Sequence, residues 1–243
     1  MDSPMAAEVT DVVKVYGRGA TAVRALDHVS VGFPARRFTA VMGPSGSGKS
    51  TLMHCLAGLD TVDSGRVRIG RHEVTGRSDA ALTRLRRDHV GFVFQSFNLL
   101  PTLTAEDNIL LGLRLAGRQP DRQWFDTVVD ALGLGARLAH KPGELSGGQQ
   151  QRVACARALV GRPDVVFADE PTGNLDSRSG AEVLDFLRTS VRELGQSVVM
   201  VTHDPVAASY TDHGVLLADG HIAAHLQQPT ADTVLSALTT LGA

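Results

Sequence analysis

Four short stretches of this 243-residue chain carry side chains that can do chemistry on an anion. Gly43-Pro44-Ser45-Gly46-Ser47-Gly48-Lys49-Ser50-Thr51 fits the spacing G-x-x-x-x-G-K-[ST]. Glycines let the backbone fold tightly enough for successive N–H groups to converge on phosphate oxygens. Lys49 adds a compact charge at the β- and γ-phosphates, and the Ser50 hydroxyl is a ligand for Mg²⁺. Asp169-Glu170 closes the apolar run Val165-Val166-Phe167-Ala168. There Asp169 suits Mg²⁺, directly or through water, and Glu170 suits a base that orients and deprotonates an attacking water. Leu145-Ser146-Gly147-Gly148-Gln149-Gln150-Gln151-Arg152 reads in two compatible ways. It is a second anion cradle, or a helix start capped by Ser146 with Gln149 completing a capping box. Thr202-His203-Asp204 ends the apolar run Ser197-Val198-Val199-Met200-Val201.

The elements that must position these groups follow from the hydrophobic pattern. Runs of strand length alternate with longer helical patterns, which predicts an α/β fold with a mainly parallel sheet. The expected strands are Phe38 to Met42, Val165 to Ala168 and Ser197 to Val201. Each ends in one of the polar stretches, and ligands bind at the carboxyl ends of strands in open α/β sheets. A helix starting near Gly48 is expected to bury Leu52, Met53, Leu56 and Leu59. Glu8 to Pro34 and Gly65 to Val74 read as short strands and turns. Ser96 to Arg162 reads as mostly helical, an insertion into the α/β core. The tail from Gln227 to Ala243 spaces Val234, Leu235, Leu238 and Leu241 as a short packing helix. The expected organisation is one domain over 1–243, with a core at about 5–95 and 156–225, a helical subdomain at about 96–155 and a tail at 226–243.

Composition bounds the partners. With 24 basic and 26 acidic side chains the net charge is −2, which argues against a dedicated nucleic-acid binder. No apolar run reaches the roughly 18–20 residues of a membrane span. Met1 to Thr10 lacks the basic and apolar regions of a secretory signal. Cys55 and Cys155 match no zinc spacing or disulfide framework and are expected to be buried in a reducing compartment. His54, beside the phosphate loop, reads as structural.

Taken together and in order, these stretches resemble the nucleotide-binding subunit of an ABC transporter over about Val9 to Ile222. Tyr16 looks like the aromatic residue that stacks on adenine, and Gly43 to Thr51 is the phosphate loop. Gln95, in Phe92-Val93-Phe94-Gln95, matches the family's Q-loop, and Leu145 to Gln149 its signature. Val165 to Glu170 is the Walker B strand, Asn174-Leu175-Asp176 the D-loop, and His203 the switch histidine. The resemblance implies a P-loop NTPase core with an N-terminal antiparallel β region and an inserted helical subdomain. It implies catalytic roles for Lys49, Gln95, Glu170 and His203, and Mg²⁺ ligation by Ser50, Gln95 and Asp169. It implies ATP contacts from Tyr16, the loop residues Gly43 to Thr51, Ser146, Gly147, Gly148, Gln149 and Asp176. In this family two subunits pair head to tail with two ATPs at the interface, so that Ser146 to Gly148 of one copy meet the phosphate held by Lys49 of the other.

The wording Phe92 to Pro101 and Pro171-Thr172-Gly173-Asn174-Leu175-Asp176 is similar to one subgroup, the lipoprotein-release, macrolide-export and cell-division ATPases. That subgroup implies an integral membrane permease as partner, a homodimer of ATPase subunits and a place at the cytoplasmic face of the membrane. It implies export or mechanotransmission; the alternative is a regulatory ATPase that controls extracytoplasmic cell-wall remodelling without cargo. Phe97, Leu99, Leu100, Pro101 and Leu103 form a candidate docking groove for the membrane partner. DNA-repair relatives carry long coiled coils or zinc modules and translation-factor relatives a second phosphate loop, and neither feature is present. Cys155 stands where an aliphatic residue is more usual.

Overall fold

A computed structural model describes residues 4–242; Met1 to Ser3 of the stretch tested for a signal, and Ala243 of the tail, lie outside the described residues. The chain opens with strands β1 (Met5–Tyr16), β2 (Val23–Pro34) and β3 (Phe38–Met42), then helix α1 (Lys49–Leu56), β4 (Ser64–Ile69) and β5 (His72–Glu73). Helix α2 (Asp79–His89) leads into β6 (Val90–Phe94). Three helices follow, α3 (Ala105–Leu115), α4 (Arg122–Ala131) and α5 (Gly147–Leu159), before β7 (Val165–Asp169). Helix α6 (Ser177–Arg192), β8 (Val198–Val201), α7 (Pro205–Ala208), β9 (His213–Ala218), β10 (His221–Gln227) and α8 (Ala231–Gly242) complete it.

Two sheets result. The first is antiparallel, in the order β2-β1-β4-β5. The second has the order β10-β9-β3-β8-β7-β6, with every pair parallel except β10 with β9. Both faces of the parallel part are covered, as its continuous apolar runs require. Alternation along the strands assigns each side chain to a layer. Val166 and Ala168 of β7, with Val198 and Met200 of β8, join the core under α3 to α6. Val165, Phe167, Val199 and Val201 point the other way, into the core shared with α1, α2 and the antiparallel sheet. A third, small core sets α8 against Ala40, Met42 and Leu216 through Val234.

The expected strands are all present within a residue of their predicted bounds. Two apolar assignments are corrected. Leu59 lies beyond the end of α1, after Gly58 turns left-handed, and is exposed. Leu235 faces away from the packed side of α8, which is formed by Val234, Leu238 and Leu241. No described helix is long and apolar enough to cross a membrane.

Candidate nucleotide site

Strand order brings the polar stretches together. Along β3-β8-β7-β6, the carboxyl ends deliver in turn the Gly43–Thr51 loop, His203, Asp169-Glu170 and Gln95. The parallel registers Phe94↔Asp169 and Asp169↔Val201 keep those ends level. Four separate segments therefore share one edge, the place where open α/β sheets take ligands.

The loop is fixed by its neighbours. Gly43 adopts φ 150° with its Cα against β9, and a Cβ there would stand 1.9 Å from the Leu217 carbonyl oxygen. The Ser47 carbonyl accepts from the Gly220 amide at 3.1 Å, pinning the loop to the β9–β10 turn. Helix α1 begins at a left-handed Gly48 (φ 101°) with no side-chain cap, so its first-turn N–H groups are open to an anion. The buried Ser47 hydroxyl also has no hydrogen-bond partner among the described residues. Lys49 Nζ curls back to donate to the carbonyls of Gly43 (2.9 Å) and Pro44 (2.7 Å). Its burial lowers the lysine's pKa, while the charges of Glu170 and Asp169 work against that shift. These features fit a polyphosphate.

Burial pushes the Asp169 carboxyl up; Glu170 adds to the effect, and the nearby His54 and Lys49 oppose it. A cation beside Asp169 relieves that cost. The Ser50 hydroxyl, the Asp169 carboxylate and the Gln95 amide oxygen are oxygen donors of the kind that could hold Mg²⁺. Gln95 Nε2 donates to Asn174 Oδ1 (3.2 Å) and Asn174 Nδ2 donates to the Gln95 carbonyl (3.1 Å), which leaves the Gln95 amide oxygen free.

Glu170 sits in a left-handed conformation (φ 46°), a strain of about 1–3 kcal/mol for a residue with a side chain. Its N–H donates to the Val201 carbonyl (2.9 Å), and its Oε1 lies 2.8 Å from His203 Nδ1. The bond to His203 holds the carboxylate against a residue just past the end of β8. His203 itself is exposed, 76% at the side chain, while the Glu170 side chain it meets is 20% exposed.

The Ser146 stretch is a separate place. Its hydroxyl accepts from the Gln149 N–H (3.3 Å) and the Gln149 side chain accepts from the Ser146 N–H (2.9 Å), closing the expected capping box. A Cβ on Gly148 would stand 2.9 Å from Ser179 Cβ, so α5 and α6 start side by side. Asp176 caps α6, accepting from Arg178 and Ser179 N–H groups (3.1 and 3.0 Å). No hydrogen bond among the described residues joins this pair of helix starts to the Gly43–Thr51 loop.

Sequence reasoning missed three residues. Gln151, one turn inside α5 and fully buried, donates to the carbonyls of Phe94 (3.2 Å) and Pro171 (2.5 Å), tying the Ser146 helix to the ends of β6 and β7. Arg157 donates to the carbonyls of Phe97 (2.8 Å) and Asn98, both left-handed, and holds the loop after Gln95. Asp60 accepts from Lys14 Nζ (2.7 Å) and from the Tyr16 hydroxyl (2.6 Å). Burial alone would raise the Asp60 carboxyl, but these bonds outweigh it and hold it below its ordinary value. Tyr16 is thereby fixed, 41% exposed, with Lys14 Nζ 4.9 Å from its ring centre. Only Gln151 carries a signal, being an amide at a core-facing position of its helix. Cys55 and Cys155 are free and buried as expected, with burial pushing both thiols up to about 12.

The fold and the loaded sheet edge define a P-loop nucleoside triphosphatase. The family model described as ABC transporter matches residues 26–173. The lipoprotein-releasing system ATP-binding protein LolD of Geobacter metallireducens is 45% identical over 89% of this chain and 97% of its own length. The macrolide export ATP-binding/permease protein MacB of Marinobacter nauticus is 43% identical over 88% of this chain, which spans only about a third (34%) of that longer relative. An ATP-binding cassette solved as a post-hydrolysis dimer bound to ADP and Pi is 38% identical, with a TM-score of 0.81 over 91% of this chain and 98% of its own. The chain belongs to the ABC transporter family, as an ATP-binding ATPase cassette.

Proposed function

We propose that this chain is the ATP-hydrolysing subunit of a membrane ABC transporter of the export or mechanotransmission type. It works as a homodimer with an integral membrane permease at the cytoplasmic face of the membrane. The observation that carries the reading is the shared edge on which the Lys49 loop, His203, Glu170 and Gln95 stand in strand order. The names and lengths of the lipoprotein-release and macrolide-export relatives support the subgroup.

In this reading Lys49 and the α1 N–H groups hold the ATP phosphates, while Tyr16 offers its ring to adenine. Ser50, Asp169 and Gln95 hold Mg²⁺, which when bound neutralises phosphate charge and orients the phosphates. Glu170 takes the proton of the attacking water and His203 orients Glu170 through Nδ1. Ser146, Gly147 and Gly148 of a second copy, flanked by its Asp176, close over the γ-phosphate. Gln151 then passes closure from the Ser146 helix to the ends of β6 and β7. ATP binds the closed dimer better than the open one, so hydrolysis shifts the population back.

The permease is proposed to dock beside the loop after Gln95. Leu100 and Pro101 are exposed there, and Asn108 holds the backbone of Leu100 from below through bonds of 2.7 and 3.1 Å. Leu99 instead packs against the core. An adjoining cleft of about 330 Å³ is lined by Phe92, Phe94, Leu113 and Arg157. Leu100→Arg is expected to break association with the permease while leaving the isolated chain folded; unchanged association overturns this docking.

The function as a whole is tested by purifying the chain with its permease and following Mg²⁺-dependent ATP hydrolysis with and without an added lipoprotein or hydrophobic compound. Stimulation supports export. Hydrolysis that ignores every cargo supports the regulatory alternative, and an absence of hydrolysis contradicts both.

A further inference from the structure

At the opposite edge of the parallel sheet, three residues that the nucleotide reading leaves unused converge from separate segments. His72 lies on β5, His89 ends α2, and Asp164 precedes β7. One ligand atom from each lies within 4.8 Å of the other two. The imidazole rings of His72 and His89 lie with centres 4.0 Å apart, tilted by 32°, and His89 Nδ1 lies 3.0 Å from Asp164 Oδ2. The backbone is already tied here, since the Asp164 N–H donates to the His89 carbonyl at 3.0 Å. Five residue steps along β7 separate Asp164 from Asp169, about 16 Å, so this cluster is distinct from the phosphate edge.

We propose that His72, His89 and Asp164 bind a divalent transition metal of the zinc class. Two imidazoles and one carboxylate are the donor set of Zn²⁺, and three protein ligands leave a fourth, solvent position. Mg²⁺ and Ca²⁺, which prefer oxygen, are poorly served by this pair of imidazoles. Ligands about 2.0–2.2 Å from a tetrahedral ion stand about 3.4 Å apart, so donor atoms that lie within 4.8 Å of one another would close on the ion by side-chain rotation. All three residues are partly exposed beside an open cavity of about 630 Å³, which gives the ion a path in. Arg68 and Arg71 line the same cavity, and Arg77 and Arg84 lie on the other side of the two histidines; Arg68 is paired with Glu8 at 3.1 Å, which lowers its repulsion of a metal. The ion would staple the antiparallel sheet, through β5, to the α2–β6 corner and the start of β7.

Calorimetric titration of Zn²⁺ alone into the metal-free full chain tests this. One equivalent is expected to bind saturably. His72→Ala and His89→Ala should each weaken that binding at least about tenfold, and Asp164→Asn should weaken it too. A His28→Ala/His221→Ala variant, which removes the other exposed His–Asp contacts, should bind as the parent does. Because neither exposed histidine is part of the core, circular dichroism should show the variants folded. The thermal midpoint should rise with Zn²⁺ in the parent but not in His72→Ala. No saturable binding in the parent, or binding with the parent's affinity and stoichiometry in either single histidine variant, overturns the site.

Discussion

Two helix starts in this molecule handle the same problem of orphan N–H groups in opposite ways. Helix α1 begins at a left-handed glycine with no side-chain cap, and its loop is held by contacts from β9 and the β9–β10 turn. Helix α5 closes a capping box within its own first turn. The first is an anion seat built by the tertiary fold and incomplete as a protein structure. The second closes its own cap locally, through the Ser146 and Gln149 N–H groups. In the proposed dimer, a half-site that engages and releases a phosphate carried by another copy benefits from that local cap, because each separation leaves the cap intact. The edge at α1, with its strained Glu170 and desolvated Asp169, is by contrast shaped for a ligand and not for stability.

The contrast can be broken most severely at Glu170. Glu170→Gln keeps the size and the bond to His203 but removes the base, and turnover measured by phosphate release should fall by about 10²–10⁴-fold with ATP binding retained. Near-normal turnover would remove Glu170 from the role of base. Ser146→Asp comes next. Aspartate caps a helix as well as serine does, so the midpoint of thermal unfolding should hold, while the new charge repels phosphate and ATPase activity should fall at least about tenfold. Ser146→Ala separates the two functions of that residue: losing the cap should cost about 1 kcal/mol by chemical denaturation. The smallest effect has the opposite sign. Asp169→Asn should stabilise the ligand-free chain, raising its thermal midpoint, since burial makes the charged form of this carboxyl costly in the fold. That advantage is full above the raised pKa and disappears as pH falls below the ordinary value of 3.8, where the parent's carboxyl is protonated in both states. A loss of stability on Asp169→Asn would mean that the edge is no more strained than the α5 start.

What was legible in the sequence follows the same division. The strands Phe38 to Met42 and Val165 to Asp169 were readable because both faces are buried, so the run is uniformly apolar and the polar stretch marks its end. The Ser146 capping box was readable because it is local, three residues wide. Interactions across strands were not. Neither the left-handed Glu170 nor its contact with His203, 33 residues away, has a local signature. Tyr16 reads as a ring, yet its hydroxyl is committed to Asp60, 44 residues on, in a network that also holds Lys14. Leu59 was misplaced because helical spacing continues past the glycine that ends the helix.

The central claim is that the capped start of α5 in one copy completes the phosphate edge of another. Sedimentation velocity of the Glu170→Gln chain with Mg²⁺ and ATP tests it directly, compared with the same chain carrying Ser146→Asp as well. The account predicts a nucleotide-dependent dimer for the single variant and a monomer for the folded double variant. Equal dimerisation of the two would contradict it.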